Sequence, residues 1–190
     1  MVWNNDQVSK LDTLRIIELA KEALNLEGDF VEMGCYKGDT SLLIAEILQS
    51  QGKASEKKLW IYDSFEGLPE KREEDESVLG EQFKSGELFV TKREVKERFL
   101  RAGLRVPVIK KAWFSDLVKE DMPSRISFSF LDGDFYESIR DSLKLVGPRM
   151  VNNGIMIVHD YNNPALPGVK RAVDEWRSVD GADGIRLILL

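Results

Sequence analysis

The chain has 190 residues, 43% hydrophobic and 32% charged, with a formal net charge of -6. That length suits one good core, a single domain over 1–190, and is short for two. The acidic balance argues against a nucleic-acid surface, where a basic stripe is expected. One cysteine, Cys35, cannot form an internal disulfide. No apolar run reaches membrane-spanning length, and Met1–Asp6 lacks the basic-then-apolar character of a secretory signal. The expectation is a cytoplasmic protein.

Short β-rich runs alternate with helical patterns, as in a doubly wound, mostly parallel α/β sheet. Within an N-terminal helical region over 1–27, residues 8–26 set Leu11, Leu14, Ile16, Ile17 and Leu19 at helical spacing. Residues 30–33 read as a first strand, broken by Gly34. Asp39 or Thr40 is expected to cap a helix carrying Leu42, Leu43, Ile44, Ile47 and Leu48. Residues 59–62 form a second strand ending at Asp63. Residues 66–90 interrupt the rhythm, because Pro69 to Glu76 is highly charged without an apolar face. They read as a solvated loop or exposed helical turn, with a flap over a substrate site as the alternative. A helix over 91–104, a third strand over 106–109 and a fourth over 126–131 follow. A helix over 136–146, a strand over 155–158, a helix over 167–176 and a last strand over 185–190 complete the series.

The turn after the first strand, Glu32-Met33-Gly34-Cys35-Tyr36-Lys37-Gly38, leads into a helix. A dinucleotide fingerprint needs three glycines to cradle a pyrophosphate, whereas this loop has Gly34 and Gly38 only. Glu32 is a poor neighbour for a phosphate and a good one for an ammonium group. That favours S-adenosylmethionine, whose methionine end carries an ammonium, although an ordinary strand-to-helix turn also explains the glycines. Asp63, at the tip of the second strand, can accept both hydroxyls of an adenosine ribose. With Ser64 it could instead cap a helix.

A second group of residues gathers at the same edge. Asp132-Gly133-Asp134 closes the fourth strand and His159-Asp160 the fifth. Neighbouring strands would bring three carboxylates and the only histidine together, and such a cluster needs something positive within it. Asp132 and Asp160 suit a hard divalent cation. His159 would be a third ligand, favouring manganese over magnesium, or a proton acceptor, or a packed imidazole. Asp134 could take a proton from a substrate hydroxyl. Trp113, after the third strand, is a candidate wall for a cofactor.

With these residues in place, the chain resembles the class I S-adenosylmethionine-dependent methyltransferases, and among them the macrocin O-methyltransferase family. The resemblance rests on the Glu32 to Gly38 loop, on Tyr62-Asp63-Ser64-Phe65-Glu66-Gly67-Leu68-Pro69, and on Leu131 to Ser138. His159-Asp160-Tyr161, Pro167-Gly168 and Ala172 to Glu175 complete it. It implies a Rossmann-like three-layer fold and methyl transfer to hydroxyls of small molecules, in this family sugars of natural products, with Mg2+ or Mn2+. It also implies that Glu32 and Gly34 hold the methionine moiety, Asp63 the ribose and Asp132 a metal, with Asp134 as base. A homodimer is expected from the family. Where the family has a paired aspartate after the fifth strand, this chain has His159-Asp160, a pairing that related methyltransferases also carry. Family members usually add N-terminal helices over the site and end in a β-hairpin, whereas this sequence has little before Val8 and a single expected strand up to Leu190. An NAD(P)-binding Rossmann protein and a catalytically silent cofactor-binding protein are the alternatives.

Overall fold

The computed structural model describes residues 7–179 and 183–190. Met1–Asp6, expected to carry no signal character, lies outside them. Among the described residues six strands form one sheet: β1 (Asp29–Met33), β2 (Leu59–Asp63), β3 (Val108–Lys111), β4 (Ile126–Leu131), β5 (Met150–Val158) and β6 (Arg186–Leu189). Their order is β3-β2-β1-β4-β5-β6, and every neighbouring pair is parallel. All carboxyl ends therefore lie along one edge. The order reverses between β1 and β4, which is where an open α/β sheet leaves a crevice for ligands.

Side chains alternate between faces along each strand and make two cores. Phe30, Ile61, Phe128, Phe130, Ile155 and Ile157 pack beneath α1 (Lys10–Glu22), α2 (Asp39–Ser50) and α3 (Lys92–Arg101). Val31, Met33, Tyr62, Leu131, Met156 and Val158 pack beneath α4 (Tyr136–Val146) and α5 (Pro167–Val179). Burial on both faces explains why β4 is apolar or serine throughout rather than alternating with charge.

Four expectations are corrected in detail. The first helix is shorter, running from its cap Ser9 to Glu22 before a 3-10 turn at Ala23–Asn25. It buries Ile16, Leu19 and Ala20, while Leu11 and Leu14 are 76% and 64% exposed. The third strand starts two residues late, because Pro107 has no N–H to give the ladder and pairing begins at Trp60–Val108. Neither Asp39 nor Thr40 caps α2. Gly38, with φ +81°, is the cap position, and Asp39 instead pairs with Arg98 of α3 at 2.5 Å. Finally, β5 begins five residues earlier, through an irregularity in its pairing with β4.

The 66–90 segment is not a freely solvated loop. It holds two 3-10 turns, Glu73–Asp75 and Val78–Gly80, and several ties to the body. Within the segment, the amides of Leu68 and Gly86 bond the carbonyls of Glu87 and Leu68. Ser77 donates to the Pro164 carbonyl at 2.8 Å.

Candidate active site

At the end of β1, Glu32 points toward α2 and is completely buried. Ser41 Oγ donates to one carboxylate oxygen. The other, Oε1, has no hydrogen-bond partner among the described residues. Burial, reinforced by Asp132, Asp63 and Asp39, outweighs the Ser41 bond and raises its pKa to about 8. An acid so placed is largely neutral at pH 7, and it keeps an acceptor ready for a donor it does not yet have. An unpaired buried carboxyl oxygen in a cavity wall fits the ammonium of a methionine moiety.

The loop beyond β1 can follow only one path. Gly34 has φ +88°, and a Cβ there would collide with the Asp132 carbonyl. The β1 and β4 loops thus touch backbone to backbone at the switch point. Asp63 fixes the same loop from β2: its Oδ2 accepts the amides of Cys35 (2.8 Å) and Tyr36 (3.2 Å), and its Oδ1 that of Phe65 (2.7 Å). Neither Asp63 nor Ser64 caps a helix. Ser64 closes a turn, donating to the Gly67 carbonyl and accepting from the Glu66 amide. Gly38 does not line the cavity; it starts α2 with Val95 against it.

Four strand ends carry a non-glycine residue in the left-handed region: Tyr36 (φ +44°), Phe65 (+52°), Asp134 (+59°) and Asp160 (+59°). Each costs on the order of 1–3 kcal/mol, and such strain collects at functional sites. After β4 and β5, His159 Nδ1 lies 3.0 Å from both Asp132 Oδ1 and Asp160 Oδ2. Burial would depress the imidazole pKa, but the two carboxylates prevail and lift it to about 11. His159 is therefore an imidazolium that supplies the positive charge the cluster needs. Asn163 Nδ2 donates to Asp160 Oδ1 at 2.9 Å. The carboxyl of Asp134 is pushed well above its usual range by its enclosure, and further by Asp132 and Asp160.

The donor set also fits a divalent cation. One atom each from Asp132, His159 and Asp160 lie within 4.8 Å of one another. Two carboxylates and an imidazole would together hold a divalent cation such as manganese, the imidazole favouring it over magnesium. Binding would require His159 to give up its proton.

Glu32, Gly34, Asp63, Ser64, Trp113, Asp132, Asp134, His159 and Asp160 all line one cavity of about 180 Å³. Sequence reasoning missed Leu68, Pro69, Phe83, Leu88 and Asn163, which line it too. Four of these come from the 66–90 segment, where isolated apolar residues among charges were the available signal.

The family model for macrocin O-methyltransferase (TylF) matches residues 8–185. A tetracenomycin rhamnosyl 4'-O-methyltransferase of Streptomyces olivaceus is 31% identical over 90% of this chain and 66% of its own length. Demethyldecarbamoylnovobiocin O-methyltransferase of Streptomyces niveus is 30% identical over 81% of this chain and 60% of its own. The chain thus spans somewhat under two thirds of these curated relatives. The solved O-methyltransferase NovP superimposes with a TM-score of 0.77 at 28% identity, covering 88% of this chain and 71% of that one. The calicheamicin methyltransferase CalS11, with a TM-score of 0.74 and 20% identity over 92% of this chain and 72% of its own, shares the fold. The sheet order, the acid-led glycine turn and the family match agree: this chain belongs to the macrocin O-methyltransferase family, with its Rossmann-like fold.

Proposed function

We propose that the protein transfers a methyl group from S-adenosylmethionine to a hydroxyl of a small molecule, a sugar hydroxyl in the first instance, with a divalent cation assisting. The observation that carries this reading is the unpartnered oxygen of buried Glu32, in the same cavity as the Asp132–Asp134 loop. A pyrophosphate would meet a carboxyl where it needs amides, which disfavours a dinucleotide. The relatives that match most of this chain are named as O-methyltransferases.

S-adenosylmethionine supplies an electrophilic methyl on a sulfonium. Glu32 orients it by accepting from its ammonium. Asp63 braces the loop that approaches it and presents its carboxylate to the ribose. Trp113 walls the cavity. A cation held by Asp132, His159 and Asp160 would lower the pKa of a bound hydroxyl. Asp134 removes the hydroxyl proton, and added positive charge in the cavity returns its raised pKa toward the working range. The apolar residues of the 66–90 segment exclude water from the transfer.

Calorimetric titration of S-adenosylhomocysteine into wild type and Asp63→Ala, with and without Mn2+ or Mg2+, tests the reading. Micromolar binding that Asp63→Ala weakens at least tenfold is the expected result. No binding under any of these conditions would overturn it.

A further inference from the structure

The cover over the cavity meets the start of α4, just beyond Asp134, through Arg72, which pairs with Glu137 at 3.0 Å, and through a buried carboxylate, Asp75. Asp75 sits in the most charged stretch of the chain, yet it is 1% exposed. Its Oδ1 accepts the amide of Tyr136 at 2.7 Å, and its Oδ2 accepts the amide of Arg72 at 3.2 Å. Helix α4 has no cap of its own, because Phe135 at the cap position offers no side-chain acceptor. The first amide of α4 is thus satisfied from sixty-one residues upstream. Gly168, at the start of α5, makes the space: a Cβ there would collide with Asp75 Oδ1 and approach the Tyr136 amide to 2.8 Å.

Tyr136 stands two residues after Asp134, whose left-handed backbone (φ +59°) must be held from outside. Asp75 itself follows Leu68 and Pro69, which line the cavity. We propose that Asp75 is a positioning residue that clamps the 66–90 cover and the Asp132–Asp134 loop together, so that covering the cavity and aiming Asp134 are a single event. The catalytic consequence rests on the reading of Asp134 as the base; the clamp itself does not.

Amide hydrogen exchange, followed on the full chain for wild type, Asp75→Ala, Asp75→Asn and Gly168→Ala, tests it. In Asp75→Ala the Tyr136 amide and the 66–90 amides should both exchange about tenfold or more faster, while those of β1 stay protected. Gly168→Ala crowds both the carboxylate and the Tyr136 backbone without altering any charge, and should reproduce the same pair of changes, the loosening of the 66–90 amides being the one that Tyr136 crowding alone would not give. Asparagine has a single acceptor oxygen, so Asp75→Asn should restore protection at Tyr136 or at Arg72 but not at both. Loosening of only one region in Asp75→Ala, unchanged exchange in Gly168→Ala, or restoration of both amides in Asp75→Asn would each overturn the clamp. Titrating S-adenosylhomocysteine into the same proteins separates the two readings. Wild type that fails to bind sinks the methyltransferase proposal and leaves the exchange result standing. Exchange that contradicts the clamp while wild type binds overturns the clamp and leaves the methyltransferase proposal standing.

Discussion

Glu32 is held in a state that water would not choose. Its burial favours the neutral form until about pH 8, while the proposed ligand group, an ammonium, favours the charged form. Cofactor affinity should therefore rise with pH between about 6 and 8, as the cost of ionising Glu32 disappears, and then level off. Glu32→Gln keeps an acceptor for Ser41 and removes the charge. It should weaken S-adenosylhomocysteine binding about 10- to 100-fold, the range of a charge-assisted hydrogen bond. It should also flatten the pH profile and raise the stability of the unliganded protein at pH 8 to 9. Calorimetry at pH 6, 7, 8 and 9 on both proteins checks all three; a wild-type affinity that ignores pH would remove the ammonium assignment. The position of Glu32 was legible in the sequence from the turn that follows it. Its charge state was not, because that depends on how completely α2 covers it.

The elements that the sequence revealed well are those whose neighbours are uniform. Strands β1, β2 and β4 are buried on both faces and end at glycine or aspartate, so pattern and punctuation agreed. Pro107 shifted β3, because apolar pattern extends through a proline that hydrogen bonding cannot use. The 66–90 segment resisted reading for a different reason. What orders it lies far away in sequence, at Tyr136 for Asp75 and at Pro164 for Ser77, and no local period encodes such ties. The β1 turn is the opposite case, where one residue type is dictated. Gly34→Ala meets both a strained φ and the Asp132 carbonyl, and should cost at least 3 kcal/mol or abolish cofactor binding. Gly52→Ala is the matched control: it has φ +70° but open space around the Cβ, and should cost only about 1 kcal/mol. Denaturant melts of the two variants compare them directly, and similar losses would show that the backbone contact at the switch point does not matter.

At the scale of the molecule, a parallel sheet delivers every strand end to one edge, which is why the sequence alone places the acidic cluster and the glycine turn together. The sequence did not show that His159 itself provides the cation between Asp132 and Asp160, since that requires the distances between side chains on two strands. This arrangement has a consequence for the whole fold. Glu32 and His159 both hold their protons more tightly folded than unfolded, to about pH 8 and about pH 11 against ordinary values near 4.5 and 6.5. Each therefore contributes stability that is complete below its unfolded pKa and is lost as pH rises toward its folded pKa. Asp134 shifts in the same sense. The acids held below their usual range, among them Asp160 and Asp174, lose their contribution on the other side, as pH falls below about 4. Stability of the unliganded protein should then peak on the acid side of neutrality. Between pH 6.5 and 8 it should fall by up to roughly 1.4 kcal/mol per pH unit for each of the two groups. Urea unfolding at pH 6, 7, 8 and 9 measures this slope. His159→Gln and Glu32→Gln should each flatten it, the first by removing the imidazolium and the second by removing the buried acid. A wild-type stability that is level or rising across this window would mean that the edge is not held together by a proton. Saturating Mn2+ should act against the same proton, because the ion takes the imidazole only in its neutral form. Metal stabilisation should accordingly grow with pH over the range in which the unliganded protein weakens.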